Sequence, residues 1–157
     1  MDRPKLTCWS CGGMFVDIGK QPLACPRCGS QPGVVPDFPK ELLKRVAWSF
    51  ASKQPKDVDA LRAAIAAEYA TLDNEPAPLD EVYAIPLATC RVMLSSYHID
   101  SVLIEQKTMF TSGELLVATH RVLAPKLRKR DHHFFEGFTL KRADADKPPV
   151  YAISLGS

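Results

Sequence analysis

The chain has 157 residues, 46% of them apolar and 24% charged, with a formal net charge of +2. That is the composition of an ordinary folded domain; no run of about 18 apolar residues exists, so no membrane-spanning helix is expected. A charge of +2 is too small by itself to imply a nucleic-acid partner, and the length allows one moderate domain, or a small module plus a domain of about 120 residues.

The N-terminal region carries Cys8-Trp9-Ser10-Cys11 and Cys25-Pro26-Arg27-Cys28-Gly29, two Cys-x-x-Cys pairs separated by thirteen residues. Each pair is a tight turn that aims two thiolates at one point, and four sulfurs complete a tetrahedral site. Gly12 and Gly29 follow the pairs, where backbone amides must approach the sulfurs and positive φ is favoured. The intervening residues read as a hairpin: Met14, Phe15, Val16 and Ile18 outbound, a turn at Gly19-Lys20-Gln21-Pro22, and Leu23-Ala24 returning. Disulfides, a redox dithiol or a rubredoxin-like iron site are the alternatives. An odd count of five cysteines without a secretory h-region in residues 1–7 fits disulfides poorly, and a redox dithiol does not need the second pair. Reduced thiols and no export signal make the cytoplasm the expected compartment.

At these residues the sequence resembles the zinc-ribbon family, with Cys-Pro-Arg-Cys-Gly as its second knuckle; the resemblance spans residues 6–30. It implies one structural Zn2+ on Cys8, Cys11, Cys25 and Cys28, with no open coordination position for catalysis. Zinc ribbons bind nucleic acid in some proteins and other proteins in others, so the resemblance leaves the partner open.

Residues 31–38 are rich in proline and read as a stiff linker. A helix is expected from Pro39, with Leu42, Leu43, Val46, Ala47 and Phe50 on one stripe and Trp48 off it, ended by Pro55. A second, capped by Asp57, carries Val58, Leu61, Ile65, Tyr69 and Leu72 and is broken by residues 74–78, giving a helical hairpin over 39–75. A third is expected over about 87–97, with Cys90 on its apolar face as a small buried hydrophobe rather than a nucleophile. Residues 101–109 fit helix or strand equally. Thr111-Ser112-Gly113-Glu114 is a capping box, and the helix behind it carries Leu115, Leu116, Thr119, Val122 and Leu123, bent or ended by Pro125. Period-two alternation then marks two strands, Phe134 to Leu140 and Val150 to Leu155, joined by a polar loop.

The expected fold class is therefore α+β, with a ribbon over 1–30 and a domain over 79–157. The order of helix, turn, short element, capped helix and hairpin matches a winged helix-turn-helix, with 87–97, 101–109 and 112–124 as helices and 134–155 as the wing. In that geometry the third helix enters the major groove. Charge supports it: Arg121, Lys126, Arg128, Lys129, Arg130, Lys141 and Arg142 face only Asp131 and Glu136, a local excess of five positive charges. These seven are the candidate nucleic-acid contacts, with Arg121 for a base edge, Arg128, Lys129 and Arg130 for phosphates, and Lys141 and Arg142 at the wing. A solvated basic helix end is the plainer account.

Asp131-His132-His133 could suggest a metal nuclease, but one triplet supplies too few ligands, and no phosphate loop or nucleophile motif accompanies it. The expectation is a non-catalytic, nucleic-acid-binding accessory or regulatory protein, duplex DNA favoured, with no membrane or small-molecule partner. The alternative is a small module, bacterial or phage-encoded, that docks on a larger nucleic-acid machine.

Overall fold

A computed structural model gives the fold and describes residues 3, 5–8, 10–17, 19, 23–31, 36–71, 80–144 and 147–156. The chain is α+β, with two helices and two sheets among these residues. The small sheet pairs β1 (Lys5–Thr7) with β2 (Met14–Val16) antiparallel, Thr7 opposite Met14. The expected hairpin of 14–18 with 23–24 is thus corrected. Strand β2 folds back on the residues before the first knuckle, because that knuckle is itself the tight turn that reverses the chain. Ile18 and the turn residues 20–22 lie outside the described residues, as do Leu72, the break at 74–78 and residues 32–35 of the linker.

The large sheet has the order β3-β7-β8-β5-β6, with β4 pairing β7 beside β3. Its strands are β3 (Glu41–Leu42), β4 (Trp48–Ser49), β5 (Arg91–Ser96), β6 (Ile99–Glu105), β7 (Phe134–Arg142) and β8 (Val150–Gly156). Neighbours pair antiparallel except β5 and β8, which run parallel.

Two helices expected from the sequence are strands. Residues 39–50 form no helix: Leu43 takes φ 55°, a left-handed conformation that breaks one, and β3 and β4 dock in turn on β7. This arrangement buries Leu42, Leu43, Val46, Trp48 and Phe50 together, whereas a helix would have left Trp48 off its apolar stripe. Residues 91–96 likewise alternate, Val92 and Leu94 fully buried and their neighbours half-buried, and 99–105 is a strand too. Two of the three helices of a winged helix-turn-helix are therefore absent from this region. The β7–β8 hairpin is no wing either, because β8 lies inside the sheet against β5.

The remaining elements follow their local signals. Helix α1 (Val58–Ala70) starts at Asp57, whose carboxylate accepts the Ala60 amide at 2.8 Å, and buries Leu61 and Ile65. Helix α2 (Ser112–Leu127) opens on the full capping box: the Thr111 hydroxyl accepts the Glu114 amide, and the Glu114 carboxylate accepts the Thr111 amide at 2.9 Å. Pro125 does not end it. The helix continues to Leu127, which is fully buried, and the Arg128 amide reaches the Ala124 carbonyl at 2.9 Å. Burial of Leu123, Ala124 and Leu127 holds the last turn in spite of the missing N–H.

One core runs from Leu42 to Ile153 and takes side chains from both helices and the large sheet, so the described residues of 39–71 and 80–156 share one core. At the bulge between Phe135 and Phe138, Gly137 has φ 117° and is buried against β3. A Cβ there would lie 2.6 Å from Lys44 Cδ and 3.1 Å from Lys44 Cα. Gly137→Ala should therefore lower unfolding free energy by about 1–3 kcal/mol, read from the urea midpoint. An unchanged midpoint would show that the packing of β3 on β7 yields freely.

Candidate metal centre and basic surface

The two knuckles are twins in backbone geometry. The Gly12 amide donates to the Cys8 carbonyl at 2.8 Å and the Gly29 amide to the Cys25 carbonyl at 2.7 Å, with φ of 71° and 76° at the two glycines. The Cys8 amide closes on the Gly13 carbonyl and the Cys25 amide on the Ser30 carbonyl, both at 2.9 Å. The four Sγ atoms all lie within 4.8 Å of one another, with Cys8–Cys28 at 3.5 Å and Cys11–Cys25 at 3.7 Å. A tetrahedral ion with bonds of about 2.3 Å sets its sulfurs roughly 3.8 Å apart, so the cluster fits a metal. Among the described residues it is the only group of three or more side chains placed to hold one.

Electrostatics point the same way. Burial pushes the Cys8 thiol up to about 12. Burial also acts on Cys28, but the Ser30 hydroxyl, 3.3 Å from its sulfur, together with the Ser30 backbone and neighbouring thiols, brings it down to about 6. Four sulfurs this close cannot all ionise without a cation between them. Cys90 is buried beside the cluster but outside the ligand set. Burial first, then the Cys28 charge, pushes its thiol up to about 12.

Sequence reasoning missed how the four-cysteine cluster is held. The Ser10 hydroxyl, inside the first knuckle, donates to Thr89 Oγ1 at 2.9 Å and accepts the Cys90 amide at 3.2 Å. Thr89 Oγ1 donates in turn to the Arg91 carbonyl. Ser10, Thr89 and Cys90 are all fully buried. The first knuckle is thus seated on the start of β5 by a buried polar relay, and no spacing rule links residues about 80 apart.

All seven candidate cations are exposed, but they fall in different places. Arg121 lines a hollow with Lys56, Asp57, Asp59 and Glu114, away from the others. Its base-edge assignment, which rested on the winged-helix geometry, is withdrawn. Lys126 and Arg130 line a second hollow with Tyr97, His98 and Asp100 at the β5–β6 turn, where Arg130 Nη1 donates to the His98 carbonyl at 2.8 Å. Lys141 borders a trough of about 480 Å³ on the sheet, whose walls include Ser95, Tyr97, Thr139, Ala152 and Ser154. Tyr97 and His98 belong to both depressions, so the β5–β6 turn joins the α2 cations to Lys141. Arg128 and Lys129 flank this run at the end of α2. Arg142 lies beyond it, 3.0 Å from Asp144, in a hollow shared with Lys40 and Lys141.

The Asp131-His132-His133 triplet does not converge. The His132 ring stacks on His98 at 4.4 Å, while His133 Nδ1 meets the Arg130 carbonyl at 2.6 Å and its ring lies on Phe134. No helix among the described residues is long and apolar enough to cross a membrane. No protein-family model, curated protein or solved structure matches this chain.

Proposed function

We propose that the chain is a non-catalytic nucleic-acid-binding accessory protein, in which a zinc ribbon on Cys8, Cys11, Cys25 and Cys28 is a structural module. One observation supports the binding role above the rest: Lys126, Arg130 and Lys141 border a continuous surface around Tyr97 and His98. Cations separated in sequence there face one path along which a phosphate chain could run. Zinc is favoured for the ion because an all-thiolate tetrahedral set suits it and leaves no open position.

The test is the salt dependence of affinity, measured by fluorescence anisotropy with a labelled oligonucleotide. Each cation withdrawn from a phosphate should lower the slope of log affinity against log salt by about 0.7–0.9. Replacing Lys126, Arg130 and Lys141 together by Ala should flatten the slope by roughly two units or more and weaken all sequences alike. The melting temperature should change little, since all three side chains are exposed. A wild-type protein without affinity, or a triple variant with an unchanged slope, would count against the reading.

A second reading, docking on a protein, is favoured by the outward face of β2, where Met14 is 74% and Val16 42% exposed. If pull-down of a partner is lost on Met14→Ser and Val16→Ser while the cation variants have no effect, this second reading takes over.

A further inference from the structure

The rim between the two depressions carries more aromatic surface than phosphate binding requires. Tyr97, at the tip of the β5–β6 turn, is completely exposed, and Phe134 is 40% exposed. The His98 and His132 rings stack at 4.4 Å with 14° between their planes, and His133 lies 4.4 Å from the Phe134 ring. Residues from the β5–β6 turn and from the segment leading into β7 are thereby brought to one end of the molecule. Tyr97 is fully open to solvent, so the core cannot be the reason for its ring.

Resting on the nucleic-acid reading above, we infer that this surface takes a single strand, with bases stacking on Tyr97 and the His98–His132 pair while Lys126, Arg130 and Lys141 hold the phosphates. Three features separate a single strand from a duplex here. In a duplex the base faces are hidden in the stack, so exposed rings find nothing to cover. A single strand presents every base face, and an aromatic platform with neighbouring cations is what it binds. Second, ten of the sixteen residues of α2 are buried, and its two exposed cations, Arg121 and Lys126, line different hollows rather than one recognition face. Third, the trough beside Tyr97 includes the small side chains Ser95, Ala152, Ser154 and Thr139, which let a sugar–phosphate chain lie close to the sheet. Charge agrees: Lys126, Arg128, Lys129, Arg130 and Lys141 outnumber Asp100 and Asp131 at this end.

The experiment compares a labelled mixed-sequence oligonucleotide as single strand and as duplex, with the full-length, metal-loaded protein. The single strand should bind at least about tenfold more tightly than the duplex. Tyr97→Ala should weaken it roughly five- to a hundredfold, as expected for the removal of one base stack, while Tyr97→Phe keeps most of the affinity. His132→Ala should weaken it in the same direction. Neither aromatic variant should alter the salt slope, which separates stacking from charge, and thermal melts should confirm that both fold. Equal affinity for both forms, or a single-strand preference indifferent to Tyr97→Ala and His132→Ala, overturns the inference and leaves the nucleic-acid reading standing. No binding to either form overturns both.

Discussion

Stripping the metal with a chelator, or replacing Cys25 by Ser, should expose the Cys90 thiol along with those of the ribbon. In the loaded protein, elemental analysis should give one zinc per chain and a thiol reagent should find almost nothing to modify, since all five cysteines are buried. Among the described residues around the cysteines, Phe15 is the one buried non-cysteine apolar side chain, with Leu6 and Leu23 partly buried. So small a cluster cannot hold a fold, and the metal's binding energy is its folding energy. Once the ribbon unfolds, Cys90 loses its cover. The two hydrogen bonds of Ser10 go as well, at about 1 kcal/mol each, so the large domain should become less stable by roughly 2–3 kcal/mol. Its helices should persist, because α1 and α2 pack in the other core. Circular dichroism should therefore keep most of its helical signal after chelation. Collapse of that signal would mean the two cores fold as one. If the chelated wild type reacts only at the four ribbon cysteines, Cys90 does not depend on the ribbon for its cover.

The second large effect is expected at His120. It is fully buried, its Nδ1 accepts the Trp48 indole N–H at 2.9 Å, and the Trp48 and Phe50 rings flank it at 5.6 and 5.7 Å. His120→Ala opens a cavity and strands the indole N–H, for a loss of about 3–5 kcal/mol in urea unfolding. The same site gives a pH signature. Burial, with the Arg128 charge adding to it, holds the His120 pKa below 6.5; the Ser52 backbone opposes this more weakly. The unfolded chain then takes up a proton at His120 as pH falls through about 6.5, where the folded chain does not. Stability from this residue is thus present above that pH and lost below it. Wild-type unfolding free energy should fall more steeply with acid than that of His120→Gln, which keeps a polar partner but cannot titrate. The exposed His98 and His132 and the half-buried His133 are common to both proteins and cancel in the comparison. Parallel pH profiles would show that His120 does not titrate against folding. A loss under about 1 kcal/mol in His120→Ala would show that the indole finds another acceptor.

How far the sequence reads depends on whether its signals are local. The convergence of the four cysteines was legible because the knuckle spacing is a property of two short turns. Helix α2 was legible because Thr111 and Glu114 cap it within one turn, and β7 and β8 because their alternation is long enough to exclude a helix. Residues 39–50 misled for a specific reason. Leu42, Val46 and Phe50 are spaced by four, which satisfies period two as well as period 3.6. Only partners on β7, some 90 residues on, choose between them. Trp48 held the missing clue: a large apolar residue left off a helical stripe is buried here on β4, opposite Phe135. The same ambiguity affected 91–96, where Val92 and Leu94 alternate in only six residues. At the surface, the seven cations were visible in the sequence but not as a place. His98 and His132 stack across 34 residues of chain, and nothing in either neighbourhood announces the other.

The parallel pairing of β5 with β8 carries a consequence for synthesis on the ribosome. Of the strands of this sheet, β8 is the last to emerge, yet it is inserted between β7 and the β5–β6 hairpin. Until it arrives, β5 and β7 both have an open edge, with the buried faces of Val92, Leu94 and Phe138 unsealed. At about 5–20 residues per second, the interval from Ser96 to Gly156 lasts several seconds. During that time the hairpin presents unpaired backbone to any other strand nearby. The four-cysteine cluster stands at the opposite extreme, since its sulfurs come from residues 8–28 and need no later strand to bring them together. That stretch can set early, while the sheet waits for its middle strand to be delivered last.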